Sequence, residues 1–206
     1  MVSEAQLSHG PSCYLSQLPL DLATVLADIA SNLEDGSVAG AVYLSALPYV
    51  GPILPKVATP EIQSIMPGLQ EENDVILALK SLLKFSDLLF NDPSAIPWEL
   101  KWKWGGMATV QSPSHRRLLL SRLQDPAKLF RLGENGFPLL IIHGKNDKQV
   151  DGQVVVEEMK PLFKNLDVCL IEKGGSHAVH IENERDVLDS IRSFVNRVYA
   201  SVSACT

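Results

Sequence analysis

Cysteine is scarce. Cys13, Cys169 and Cys205 are the only three in 206 residues, widely spaced and without a Cys-x-x-Cys pair. That spacing excludes a disulfide framework and a cysteine-rich metal site, and makes a reducing compartment the default. Long apolar runs are missing too, since none approaches the ~20 residues of a membrane span. Positive charge is in deficit, with 18 Lys and Arg against 24 Asp and Glu and a net charge of -6. This argues against a nucleic-acid partner, whose phosphates require a basic face. The most basic stretch, His115-Arg116-Arg117 with Arg122 beyond it, reads as a solvated helix face. The opening "MVSEAQLSHGPSCYL" lacks the basic-then-apolar layout of a signal peptide. Repeats and low-complexity tracts are absent. What is present is ordinary globular composition, 46% hydrophobic and 20% charged, enough for one domain with a real core. A cytoplasmic protein is expected.

Periodicity organises the chain. Residues 1–20 are unpatterned. Leu22, Val25, Leu26, Ile29 and Leu33 recur at helical spacing within 20–36, with Asp21 as the expected N-cap and Gly36 as the stop. "VAGAVYLSAL" (38–47) is a short apolar run that suits a strand buried on both faces. Residues 48–72 are rich in Pro and Gly and read as irregular or short-helical. Residues 73–90 read as an amphipathic helix with Val75, Ile76, Leu79, Leu82, Leu83 and Phe90 on its apolar side. The segment 91–106 holds Trp98, Trp102 and Trp104, which suit an apolar core better than a ligand pocket. Helices are predicted at 112–123, with Ser112 as cap and Pro113 in first position, and from 125 onward.

The last third alternates more regularly. Strands are expected at 137–144 and 166–175. Helices are expected at 151–166, interrupted near Pro161, and at 183–200. The apolar stripe of the last helix is Val187, Leu188, Ile191, Phe194, Val195 and Val198. Strand–helix–strand–helix order implies βαβ units and an α/β fold with a parallel sheet.

In such sheets functional groups gather at the carboxyl ends of the strands. Asp147 lies just past one strand in "HGKNDKQV", and His177 just past the next in "EKGGSHAVH". A carboxylate so placed can hold an imidazole in one tautomer and keep it basic. The glycines before His177 permit a tight turn. Each residue also has a plainer role available, Asp147 as a turn former and His177 as a loop histidine. His180 reads as packing at a helix start and His143 as a satisfied residue at the core edge. A metal site from His177, His180 and Glu182 lacks the helical i, i+4 histidine pair of zinc proteases. Neither a metal nor a cofactor is expected.

"PLLIIHGKNDKQV" followed by "EKGGSHAVHIENERDVLDSIRSFV" resembles the C-terminal third of the α/β-hydrolase superfamily. There, Gly-x-x-Asp after the seventh strand supplies the catalytic acid, here Gly144 to Asp147. A histidine beyond the eighth strand supplies the base, here His177. "VAGAVYLSALPYVG" is similar to the family's sixth strand and its exit into a cap. The resemblance covers about 21–206. It implies a partial α/β-hydrolase fold of about three parallel strands, with core segments 21–51 and 129–200 and a helical cap at 52–128. It further implies hydrolysis of an ester or related bond in a small apolar molecule.

One departure bears on activity. The family's nucleophile sits in Gly-x-Ser-x-Gly at a strand–helix turn, and no such motif, nor a Cys or Asp version, occurs in this sequence. Counting back from the helix at 23–33 puts Leu20 in that place. "SHGPS" (8–12) echoes an oxyanion loop but precedes no recognisable strand. The expectation is therefore an N-terminally incomplete hydrolase-like chain, incompetent alone. Its alternatives are a non-catalytic ligand-binding or regulatory protein and an unconventional hydrolase using Ser12, Ser16 or Asp21. Loss of the first five strands would expose an apolar edge at 38–47, open to self-association, and make the chain marginally stable.

Overall fold

The computed structural model describes residues 28, 29, 34 and 36–203. Asp28 and Ile29 are helical. The rest of the helix expected over 20–36, the elbow position Leu20, and Ser12, Ser16, Asp21, Cys13 and Cys205 lie outside the described residues.

Three strands form one parallel sheet in the order β1 (Ala41–Leu44), β2 (Leu139–Gly144) and β3 (Leu166–Ile171). Tyr43 lies opposite Ile141, and Ile141 opposite Val168. β2 is central and buried at all six positions, as its apolar run on both faces requires. β1 is shorter than expected. It stops because Ser45 takes a left-handed φ of 47°, although its N–H still donates to Ile142 O at 2.8 Å. Among the described residues β1 has no neighbour on its outer side.

Between β1 and β2 the chain forms α1 (Leu54–Val57), α2 (Pro60–Leu69), α3 (Val75–Asp87), α4 (Trp98–Val110), α5 (Pro113–Ser121) and α6 (Ala127–Glu134). α7 (Gly152–Met159) joins β2 to β3, and α8 (Val179–Glu182) and α9 (Glu184–Ser203) follow. Side-chain caps start several of them: Thr59 accepts from Ile62 N, Asp74 from Leu77 N, Ser112 from His115 N and Asp151 from Gln153 N and Val154 N. Each satisfies backbone donors that a helix start leaves free.

The sheet separates two cores. Ala41, Tyr43, Leu139 and Ile141 pack with Leu129 of α6 and Val155, Val156 and Met159 of α7. Leu140, Ile142 and Ile171 pack with Val179 of α8 and Val187, Phe194 and Val198 of α9. Strand alternation sends successive side chains to opposite faces and so supplies both. A third cluster, Ile62, Leu69, Leu82, Phe85 and Leu88, joins α2 to α3.

Several expectations need correction. Within 48–72, read as irregular or short-helical, α2 runs for ten residues: Pro60 occupies the first turn, where proline is tolerated, and Pro67 comes just before the end. α4 forms around the tryptophans despite Gly105 and Gly106. On α3 the expected apolar side is largely exposed. Val75, Ile76, Leu79 and Leu83 face outward, while Ser81, Leu82, Phe85 and Ser86 are buried. The two helices meet through small residues: a Cβ on Gly68 would lie 1.9 Å from Ser81 Oγ. On α9, Leu188 and Val195 lie at the exposed margin of the stripe. Trp98 and Trp102 are exposed and belong neither to a core nor to the cavity described below. Arg116 is half-buried: its guanidinium donates to the carbonyls of Leu69, Ala108 and Gln111 at 2.9, 2.6 and 2.8 Å.

Candidate functional site

Two loops meet at the carboxyl end of the sheet. Lys145 N donates to Ile171 O at 2.9 Å and Asn146 N to Gly175 O at 2.8 Å, tying the turn after β2 to the turn after β3. Their closeness depends on glycine. A Cβ on Gly144 would lie 2.0 Å from Gly175 O, and Gly174 holds a φ of 75°. These glycines bring Asp147 and His177, 30 positions apart, into contact.

His177 Nδ1 and Asp147 Oδ2 are 2.8 Å apart and both side chains are buried. The other carboxylate oxygen, Oδ1, accepts from Gln149 N at 2.7 Å and Val150 N at 3.0 Å. Burial pushes the Asp147 carboxyl up. Attraction to the imidazole of His177, then the pull of the His143 ring and the His177 hydrogen bond, outweigh that and hold the carboxyl well below the usual carboxylate range. With Nδ1–H donating to the carboxylate, Nε2 keeps its lone pair. That atom is buried and has no hydrogen-bond partner.

His143 joins the cluster, contrary to its expected place as a satisfied residue at the core edge. It is fully buried, and its Nε2 lies 3.3 Å from Ala46 O, an acceptor, so Nε2 carries a proton. Its Nδ1 has no hydrogen-bond partner and stands 3.6 Å from Asp147 Oδ2, too far for a hydrogen bond. Gly152 makes room for this ring: a Cβ there would lie 2.4 Å from His143 Cβ.

His180 and Glu182 serve elsewhere. His180 stacks on Trp104, which stacks on Phe90. Burial first, and then the charge of His177, hold its imidazole below the ordinary histidine range. Glu182 accepts from Asn91 N and Asn91 Nδ2. These contacts, with Ala178 N donating to Leu89 O at 2.9 Å, pin the segment after α3 beside the His177 loop. Among the described residues no group of three or more His, Cys, Asp or Glu could hold a metal ion.

A cavity of about 330 Å³ opens beside His177. Leu54, Val57, Ile62, Met66, Leu82 and Phe85 wall it, with Ser45, Gln63, Gln111, Arg116, Gln149 and His177 as its polar members. Its size and apolar lining suit a small lipophilic molecule. Gln149 is fixed across its edge, donating from Nε2 to Phe85 O at 3.2 Å. The loop that holds the Asp147 carboxylate therefore also holds α3.

The described chain superposes on solved structures of the α/β-hydrolase fold. The esterase RhEst1 from Rhodococcus sp. ECU1013 matches with a TM-score of 0.73 and 22% identity, over 85% of this chain and 62% of that one. The esterase EaEST from Exiguobacterium antarcticum matches with a TM-score of 0.61 and 15% identity, over 84% and 63%. A bromoperoxidase from Bacillus anthracis matches with 0.53 and 20%, over 66% and 48%. No protein-family model and no curated protein matches the sequence. The chain thus spans less than two thirds of the length of these structures and carries part of their fold, a three-stranded parallel sheet flanked by helices. Among the described residues no helix is long and apolar enough to cross a membrane.

Proposed function

We propose that this chain carries the acid–base half of a hydrolytic site for an ester or related bond in a small apolar molecule. His177 is the general base, Asp147 the carboxylate that orients it, and 52–128 a helical cap over the ligand. The observation that carries this reading is the buried Asp147–His177 pair, in which His177 lines an apolar cavity and its Nε2 has no hydrogen-bond partner. An imidazole anchored at Nδ1 can take a proton at Nε2 from an attacking hydroxyl and return it to the leaving group. The fold hosts many chemistries, so the assignment rests on this site and not on the neighbours' names.

The attacking group lies outside the pair. Because the sequence has no Gly-x-Ser-x-Gly, a second reading has its own support: a hydrolase-like protein that binds a ligand without turning it over. Hydrolysis of a short-chain 4-nitrophenyl ester, with and without His177→Ala, separates the two. Turnover that collapses in the variant supports hydrolysis. Saturable binding without turnover in either protein supports the ligand-binding reading. A fluorophosphonate probe applied to the same samples reports whether any serine is activated.

A further inference from the structure

Ser45 combines three unusual properties. It ends β1 in a left-handed conformation, φ 47°, which a non-glycine residue adopts at a cost of about 1 kcal/mol. It is 2% exposed. Its Oγ is buried with no hydrogen-bond partner. A buried, unsatisfied hydroxyl is costly, and so is the backbone that carries it.

The surroundings give this pairing of costs a direction. Most polar side chains on the cavity wall are engaged with the protein. Gln63 donates to Ala58 O, Gln149 to Phe85 O, and Arg116 to three carbonyls. Ser45 Oγ and His177 Nε2 are buried atoms without a hydrogen-bond partner, and both residues line the same apolar cavity. A neutral His177 bonded through Nδ1 offers only a lone pair there. Ser45 offers an O–H donor. Two residues of the cavity wall thus hold one unmet acceptor and one unmet donor.

We propose that Ser45 is a specificity-determining residue, its hydroxyl donating to a carbonyl oxygen of the ligand while apolar walls hold the rest. The strained turn fixes that donor at the end of the strand. The ligand class is a small apolar carbonyl compound, such as an ester or ketone. The inference rests on the cavity being the ligand site of the proposed function, but it requires no turnover.

The test uses a matched pair of probes, 4-phenyl-2-butanone and butylbenzene, which differ in the carbonyl. Affinities are measured for the wild type, Ser45→Ala and Ser45→Gly. Glycine relaxes the φ of 47° as it removes the hydroxyl, so a folding defect in the alanine variant does not block the test. The ketone should bind the wild type more tightly than the hydrocarbon. Both variants should weaken the ketone about fivefold, the worth of one neutral hydrogen bond, and leave butylbenzene unchanged. Equal weakening of both probes would mark Ser45 as structural and overturn the proposal. So would an unchanged ketone affinity, or failure of both probes to bind the wild type. Absence of esterase turnover with the ketone preference intact would sink hydrolysis and spare Ser45.

Discussion

Replacing Asp147 with asparagine tests the central pair with little change of shape. Asparagine Oδ1 can keep the two backbone donors, Gln149 N and Val150 N. Its other terminal atom becomes an amide nitrogen, a donor, opposite His177 Nδ1. His177 must then accept at Nδ1 and carry its proton on Nε2, which destroys the free base. The charge-assisted hydrogen bond at 2.8 Å is lost, at about 1.5–3 kcal/mol. For a chain of this size each kcal/mol lowers Tm by roughly 2–4 °C. The pH dependence gives a sharper check. The Asp147 carboxyl is held below its ordinary value of 3.8, so its stabilisation is complete above that value and is lost as pH falls toward the lower folded value. The stability gap between wild type and D147N is measured at pH 7, where it must be present, and compared between pH 5 and pH 3, where the carboxyl titrates. By pH 3 it should have shrunk by about 1 kcal/mol, since one pH unit of linkage is worth about 1.4 kcal/mol. Other carboxylates titrate in both proteins and cancel in the difference. Urea unfolding of the two proteins at the three pH values measures it. A gap unchanged at pH 3, or no gap at pH 7, would refute an ionised and paired Asp147.

Gly152→Ala should cost about 1–3 kcal/mol, because its Cβ would meet His143 Cβ at 2.4 Å and Cγ at 2.6 Å; thermal unfolding reads the cost. On α3, Leu82→Ala should cost about 2–5 kcal/mol as a core truncation, whereas Ile76→Ser should stay within about 0.5 kcal/mol, because Leu82 is 8% exposed and Ile76 68%. Urea midpoints of the two variants give the comparison, and equal losses would mean that α3 is turned the other way.

The β2–α7–β3–α9 unit was legible because each piece carries its own signal. β2 is apolar on both faces, Asp151 caps α7, and α9 buries Val187, Phe194 and Val198. The segment between β1 and β2 was less legible for a physical reason. α3 has apolar residues on more than one side, so period alone does not choose the buried side. Packing against α2 brings Ser81 closest to Gly68, with Leu77 next, at 3.3 Å from where a Cβ would stand. Helix–helix contact decided the rotation, and serine is not read as core. Likewise the run from Pro55 to Gly68 suggests breakage, yet proline in a first turn and near a helix end leaves α2 intact.

The site divides along the same line. Asp147 and His177 were legible because parallel topology places successive strand ends together, and the glycines at 144, 174 and 175 announce tight turns. His143 and Ser45 were not, because each sits at the end of an apolar strand, where a polar residue has no period to betray it. Arg116 was misjudged for the opposite reason: charge beside charge suggests solvent, but its three acceptors are carbonyls of Leu69, Ala108 and Gln111. Those carbonyls come from the end of α2, from within α4 and from just beyond it. Arg116 therefore closes the far wall of the cavity by satisfying backbone that the α2–α4–α5 packing leaves open. The cavity owes its apolar character partly to that bond set. With those groups engaged, Ser45 Oγ and His177 Nε2 are buried atoms of wall residues that keep unmet hydrogen-bonding capacity, which is why the proposed recognition is assigned to them.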